Sequence, residues 1–138
     1  MIPINFVSVL LAAAVGFVVG FLLHGPVSGK LWMRLANIVP TGNEKLSDMY
    51  GQMFANFLVN IVSALMLSAV YLFLSTSVYA LATPMLNSLV AVFVTWAGFI
   101  FVWTSIDVIW MGKSFKLWLF DVLASLVVMV SMGIVIAL

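Results

Sequence analysis

Two aspartates, one histidine and a stripe of amides are the side chains of this chain that could do polar chemistry inside apolar surroundings. Asp107 and Asp121 flank the short turn 111–116, and each stands a little over one helical turn inside an apolar stretch. An ionised carboxylate at that depth needs a basic partner or a bound proton or cation. Arg34, Lys113, Lys116 and His24 are the candidate partners, because long basic side chains can bend toward an interface. Asn56, Asn60 and Ser63 share one face of another stripe of helical spacing, and an amide is costly against lipid, so this face should meet protein or water. His24, Asn56, Asn60, Asp107 and Asp121 thus form a candidate polar site. Two readings stand: internal ion pairs and hydrogen bonds that hold helices together, or a site for a cation, proton or substrate.

The elements that carry these residues follow from composition. The chain has 138 residues, of which 66% are hydrophobic and 7% charged, and its mean hydropathy is +1.32. A soluble domain carries about 25% charged residues. Nine charged side chains and one histidine cannot cover a water-facing surface, and no basic face exists for nucleic acid. Cysteine is absent, so thiolate chemistry is excluded. No metal-ligand spacing or ordered nucleophile occurs, so no catalytic role, metal or cofactor is expected.

Four apolar stretches at 2–23, 53–74, 85–110 and 117–138 are each long enough to cross about 30 Å of hydrocarbon as a helix. Helices satisfy their own backbone in lipid, so the expected fold is all-α, a transmembrane four-helix bundle in one domain. The first stretch lacks a basic leader and a cleavage signal and is taken as a retained span. Ser47 or Asp48, Thr83 with Pro84, and Ser114 are the expected helix starts. Lys30, Arg34 and Lys45 lie in the loop 25–47, and Lys113 and Lys116 in the last turn, while the loop 75–84 carries no charge. The positive-inside rule makes the basic end cytoplasmic and places both termini outside. Residues 30–38 suit a short amphipathic helix at the inner interface or an irregular connection anchored by Trp32, and Pro40 to Lys45 suits a turn.

Ser8, Ala12, Gly16 and Gly20 recur every four residues and form a packing seam, used within the bundle or between copies in a homo-oligomer. Trp96, Trp103 and Trp110 recur every seven residues as an aromatic stripe, opposite a small-residue side of Asn87, Ala91, Gly98 and Ser105. Trp110 and Trp118 are expected at the membrane interface. The polar groups concentrate in the cytoplasmic half, which points to an inner-facing polar pocket above an apolar plug. The lipid bilayer is the one definite partner. Function is expected to be structural or accessory; the alternative is a small transporter or channel subunit.

The opening run NFVSVLLAAAVGFVVGFLLHGPVSGKLWMRLA, with Asn5, Gly29-Lys30 and Trp32-Met33-Arg34, resembles the start of the DUF1761 family of small prokaryotic membrane proteins. The last span, with Asp121 early and MVSMGIVIAL at its close, is similar as well. Where that family shows a Trp-Tyr-Ser-Pro-like sequence, this chain has Leu23-His24-Gly25-Pro26, keeping the proline and losing the aromatics. The resemblance implies a four-span inner-membrane protein and no established activity.

Overall fold

The computed structural model describes residues 4–39 and 46–138. The expected turn at Pro40 to Lys45 and the first residues of the 2–23 stretch lie outside them. Four helical segments are long and apolar enough to cross a membrane: Phe6–Val27, Tyr50–Thr76, Pro84–Trp110 and Phe115–Ala137.

Helix α1 (Phe6–Leu22) starts at Asn5, whose side-chain oxygen accepts from the backbone N–H groups of Val7 and Ser8, satisfying two of the donors that a helix start leaves free. It runs on through a wide π turn, Leu23–Val27, and breaks there, because Gly25 leaves helical geometry and Pro26 has no N–H to give. Helix α2 (Gly29–Leu35) follows at once, so part of the segment 30–38 is helical. Asn37 closes it in the left-handed region at φ 55, and the Ile38 N–H reaches back to the Met33 carbonyl, a common way to end a helix.

Helix α3 (Tyr50–Thr76) begins after a 3-10 turn, Leu46–Met49. Its cap position is Met49, so the start falls just beyond the expected Ser47 or Asp48. Thr83 and Pro84 open α4 (Pro84–Thr95) as expected, with the Thr83 hydroxyl accepting from the Leu86 N–H. The third span continues through a second π turn, Trp96–Phe101, into α5 (Val102–Trp110). Gly112, at φ +68, lets the chain reverse within a few residues. Ser114 holds the cap position of α6 (Phe115–Ala137) without a side-chain cap bond.

Helix α6 packs on α1 and α4, and α3 packs on the same two helices from the other side, with only slight contact between α3 and α6. Lipid tails are as apolar as leucine, so close packing and hydrogen bonds hold such helices together. Small residues supply both. A Cβ at Gly133 would stand 2.6 Å from Val92 Cγ2 and 2.9 Å from Ser88 Oγ, and a Cβ at Gly16 would overlap Met132 Cε. The Ser88 hydroxyl donates to the Gly133 carbonyl at 2.6 Å. Of the expected seam, Ala12 and Gly16 are buried, and Ser8 and Gly20 half-buried. Gly16 meets α6 and α3 of its own chain, and Gly20 meets Val128 of α6.

The buried residues of α3 are Asn60, Ala64, Leu67 and Ser68. No residue of its first ten is buried, so α3 is fastened through its middle and stands away from the bundle at the end facing α2. At the opposite end of α3, Asn87 ties the loop before α4 by accepting from the Leu81 N–H and donating to the Leu81 and Thr83 carbonyls.

The aromatic stripe does not survive as one face. Trp96 is buried, whereas Trp103 and Trp110 are exposed. The π turn between them widens the helix, so the inward positions become Val92, Trp96, Ile100, Thr104 and Val108, four apart instead of about 3.6. The small-residue side breaks for the same reason: Asn87 and Ala91 are buried, but Gly98 faces open space. Trp118 packs into the protein. It is buried, and its Nε1–H donates to the Thr104 hydroxyl at 3.0 Å.

The two glycine contacts predict different costs. Gly133→Ala meets the stiff Val92 and a bonded hydroxyl and should lose about 1–3 kcal/mol of stability. Gly16→Ala mainly meets the end of a flexible methionine and should lose less. Thermal unfolding of both variants in detergent checks the order, and equal losses would contradict it.

Candidate functional site

The break after α1 sets the site. Gly29 passes so close to the His24 carbonyl that a Cβ would be 2.7 Å from its oxygen, so only glycine lets the chain fold back there. The Ser28 hydroxyl donates to the Leu23 carbonyl, which helps hold the turn. Helix α2 then brings Trp32 edge-on to the His24 ring at 5.6 Å, and α6 brings Phe120 edge-on at 5.7 Å. His24 is bracketed by two aromatic rings. Its Nδ1 lies 3.0 Å from the Gly20 carbonyl, which can only accept, so Nδ1 carries the proton and Nε2 points elsewhere. Trp32 therefore faces inward and does not anchor an irregular loop.

Asp121 sits on the first turns of α6. Its Oδ2 accepts from the Lys113 ammonium at 2.9 Å, and its Oδ1 faces His24 Nε2 at 4.0 Å. The latter distance lies within ion-pair range and beyond hydrogen-bond reach. The turn at Gly112 makes the first pair by swinging Lys113 back over α6.

On α3, the Asn60 amide donates to the Asn56 carbonyl at 2.8 Å and to Asn56 Oδ1 at 3.2 Å. Asn60 is only 8% exposed. No donor among the described residues reaches its Oδ1. Among the described residues, fully buried side-chain oxygens and nitrogens all have partners, so Asn60 Oδ1 opens onto free space. That space is a cavity of about 720 Å³ between α1, α3 and α6, lined by His24, Gln52, Asn56, Asn60, Ser63 and Asp121 on its polar side. Such a volume is typical of small-molecule sites.

The structure thus gathers His24, Asn56, Asn60 and Asp121 around one cavity. It separates Asp107 from them. That carboxylate is half-buried on α5, does not line the cavity, and has no hydrogen bond or ion pair among the described residues. The wide turn at Trp96–Phe101 rotates α5 away from the register that the spacing suggests. Arg34 stands exposed on α2, and Lys116 is exposed with no ion pair among the described residues, so Lys113 and His24 are the neighbours of Asp121. Among the described residues, no three histidines or carboxylates gather as a metal-ligand set. Trp96 ties helices together, its Nε1–H donating to the Val122 carbonyl at 3.0 Å and Ser125 Oγ at 3.1 Å. Its depth, away from both interfaces, was the one signal that could have found it.

The chain belongs to the DUF1761 family, described as proteins of unknown function, whose model matches residues 7–137. No curated protein and no solved structure matches it.

The Lys113–Asp121 pair yields a double-variant test. Both side chains see some water, so Lys113→Met should cost about 1 kcal/mol, the upper end for such pairs. Adding Asp121→Asn should restore most of that loss, because no unpaired carboxylate is left. Unfolding of the single and double variants in mixed micelles measures both. Asp107→Asn should leave stability near the parent value.

Proposed function

We propose that this protein is a non-catalytic accessory protein of the prokaryotic cytoplasmic membrane that holds a small membrane-borne molecule in a blind cavity. The observation that carries the proposal is the cavity itself, with His24, Asn56, Asn60 and Asp121 on its wall and a tight layer beyond it. That layer includes Ala12, Ala64, Leu67, Val92 and Met132, each at most 2% exposed. A molecule held in the cavity meets no path through that layer. Lys30 and Arg34 on α2 and Lys113 and Lys116 near the last turn sit at that end, which supports a cytoplasmic placement and external termini.

A conducting or transporting protein would need the tight layer to open. The outer half offers no ionisable side chain to coordinate a passing ion, in contrast to the usual membrane pathway. The proposal concerns a single chain, since the seam of Ala12 and Gly16 is used inside the bundle.

The absence of cysteine makes the test direct. Asn56→Cys should react with a membrane-impermeant maleimide added on the basic side only. Ser68→Cys, in the tight layer, should react from neither side. Val78→Cys, in the uncharged loop, should react only from the opposite side. Labelling of Asn56→Cys from both sides would replace the blind cavity with a through path.

A further inference from the structure

We propose that the ligand of this cavity is an uncharged amphiphile with a hydroxyl head, held with its head at Asp121, His24 and the α3 amides and its tail in the methionine-lined depth. The inference rests on the blind-cavity reading and names the ligand class of that site.

Charge comes first. Asp121 is already matched by Lys113 at 2.9 Å. An anionic head would face the Asp121 carboxylate, and a cationic head would have to displace Lys113 or crowd it. Either conflict disfavours a charged head, screened in part by the water that His24, Asp121 and Lys113 see at 39%, 31% and 28% side-chain exposure. An uncharged head meets neither.

Hydrogen bonding narrows the head further. Nδ1 of His24 is engaged by the Gly20 carbonyl, so Nε2 is the ring atom left to meet a ligand. Asp121 Oδ1 stands 4.0 Å away, and Asn60 Oδ1 accepts no bond among the described residues. The Asp121 and Asn60 oxygens thus stand free to accept, beside the Gln52 and Asn56 amides and the Ser63 and Thr95 hydroxyls, which can donate. A hydroxyl offers the missing proton and can accept in turn from the Asn56 amide, whose N–H groups have no acceptor among the described residues. An ester or ketone head would bring further acceptors and leave these unmet, which costs most where water is scarce.

The rest of the cavity is suited to a tail. Its deeper wall is Phe17, Met66, Val128, Met129 and Met132. From Asp121 to Met132 the cavity follows α6 for about 16 Å at 1.5 Å per residue. Methionine side chains adapt to irregular chains. The entrance is sideways: Val59, Val62 and Met66 line the cavity and are also 62%, 57% and 54% exposed. These residues face the lipid where α3 stands free of α5. A tail passing from lipid to this wall exchanges one apolar contact for another, so it gains little. Selection therefore falls on the head, where the polar side chains are.

The test uses the full chain in lipid nanodiscs and a hexadecanol carrying a diazirine near its end. Cross-links should map to cavity residues of α3 and α6. A diacylglycerol or an alkyl hydroquinone should cut labelling at least tenfold at equal mole fraction, and which of the two competes tells a glyceride source from a quinol source. Palmitate and hexadecylamine should compete at least tenfold more weakly. The Lys113→Met/Asp121→Asn double variant, which keeps the site neutral, should lose at least tenfold in labelling. Gly20→Leu, which projects into the cavity, should do the same by a steric route. Equal competition by the charged amphiphiles, or unchanged labelling in both variants, would overturn the ligand class. If Asn56→Cys still labels from the basic side alone, that failure leaves the blind cavity standing; labelling from both sides would remove the cavity reading itself.

Discussion

Helix α6 reaches both α1 and α4 through positions that carry almost no side chain, and the rest of the molecule depends on that approach. Gly133 lets α6 lie against Val92 and Ser88, and Gly16 makes room for Met132. In lipid no hydrophobic force drives such contacts, so they must be tight enough to win by packing. The Ser88–Gly133 hydrogen bond adds to the same contact. Around that contact Ala12, Ala64, Leu67, Val92 and Met132 are each at most 2% exposed. Toward α2 the side chains between helices are larger, and they include His24, Phe120 and Trp118. The helices must separate around them, and α3, with none of its first ten residues buried, leaves the gap that becomes the cavity.

The same geometry explains why amides stand on α3 at all. An Asn against lipid would be costly, but Asn60 bonds Asn56 one turn earlier, so part of the cost is met within the helix itself. What the helix cannot satisfy faces the cavity. His24 is placed there by a different device, the break at Gly25 and Pro26 that folds α2 back over the end of α1. Polar groups from α1, α3 and α6 converge because one break and one tight turn, at Gly112, bring chain ends inward.

The sequence exposed the spans, the Thr83–Pro84 start, the buried part of the small-residue seam and four members of the polar cluster. Each of these rests on local rules: length in lipid, cap chemistry, and the spacing of one helix. It misplaced Asp107 and the tryptophan stripe, and these share one cause. Reading faces across 85–110 assumes a constant turn, whereas the π turn at Trp96–Phe101 shifts every later residue to a new face. A π turn has no reliable residue signature, so rotation beyond it is lost to sequence reading. The partner of Asp121 was ambiguous for a related reason. Several basic residues lie near it in sequence, and only the reversal at Gly112 selects Lys113.

Retention and passage make opposite demands on a bundle of this size. Passage requires two arrangements of similar energy, each open on one side. Here the outer closure is made by backbone-to-side-chain contact at Gly133, Ser88 and Val92, where a methyl group already would not fit. Opening it would break the Ser88 bond and strip contacts from several fully buried residues at once, with no alternative partner in lipid. The inner half can vary at far smaller cost, since α3 is unpacked there and methionines line the wall. A molecule could enter sideways and leave the same way while the outer half stays shut. The neutral ion pair at the head of the cavity fits that economy: it lets water and a polar head share one end of the site without placing a net charge in the membrane.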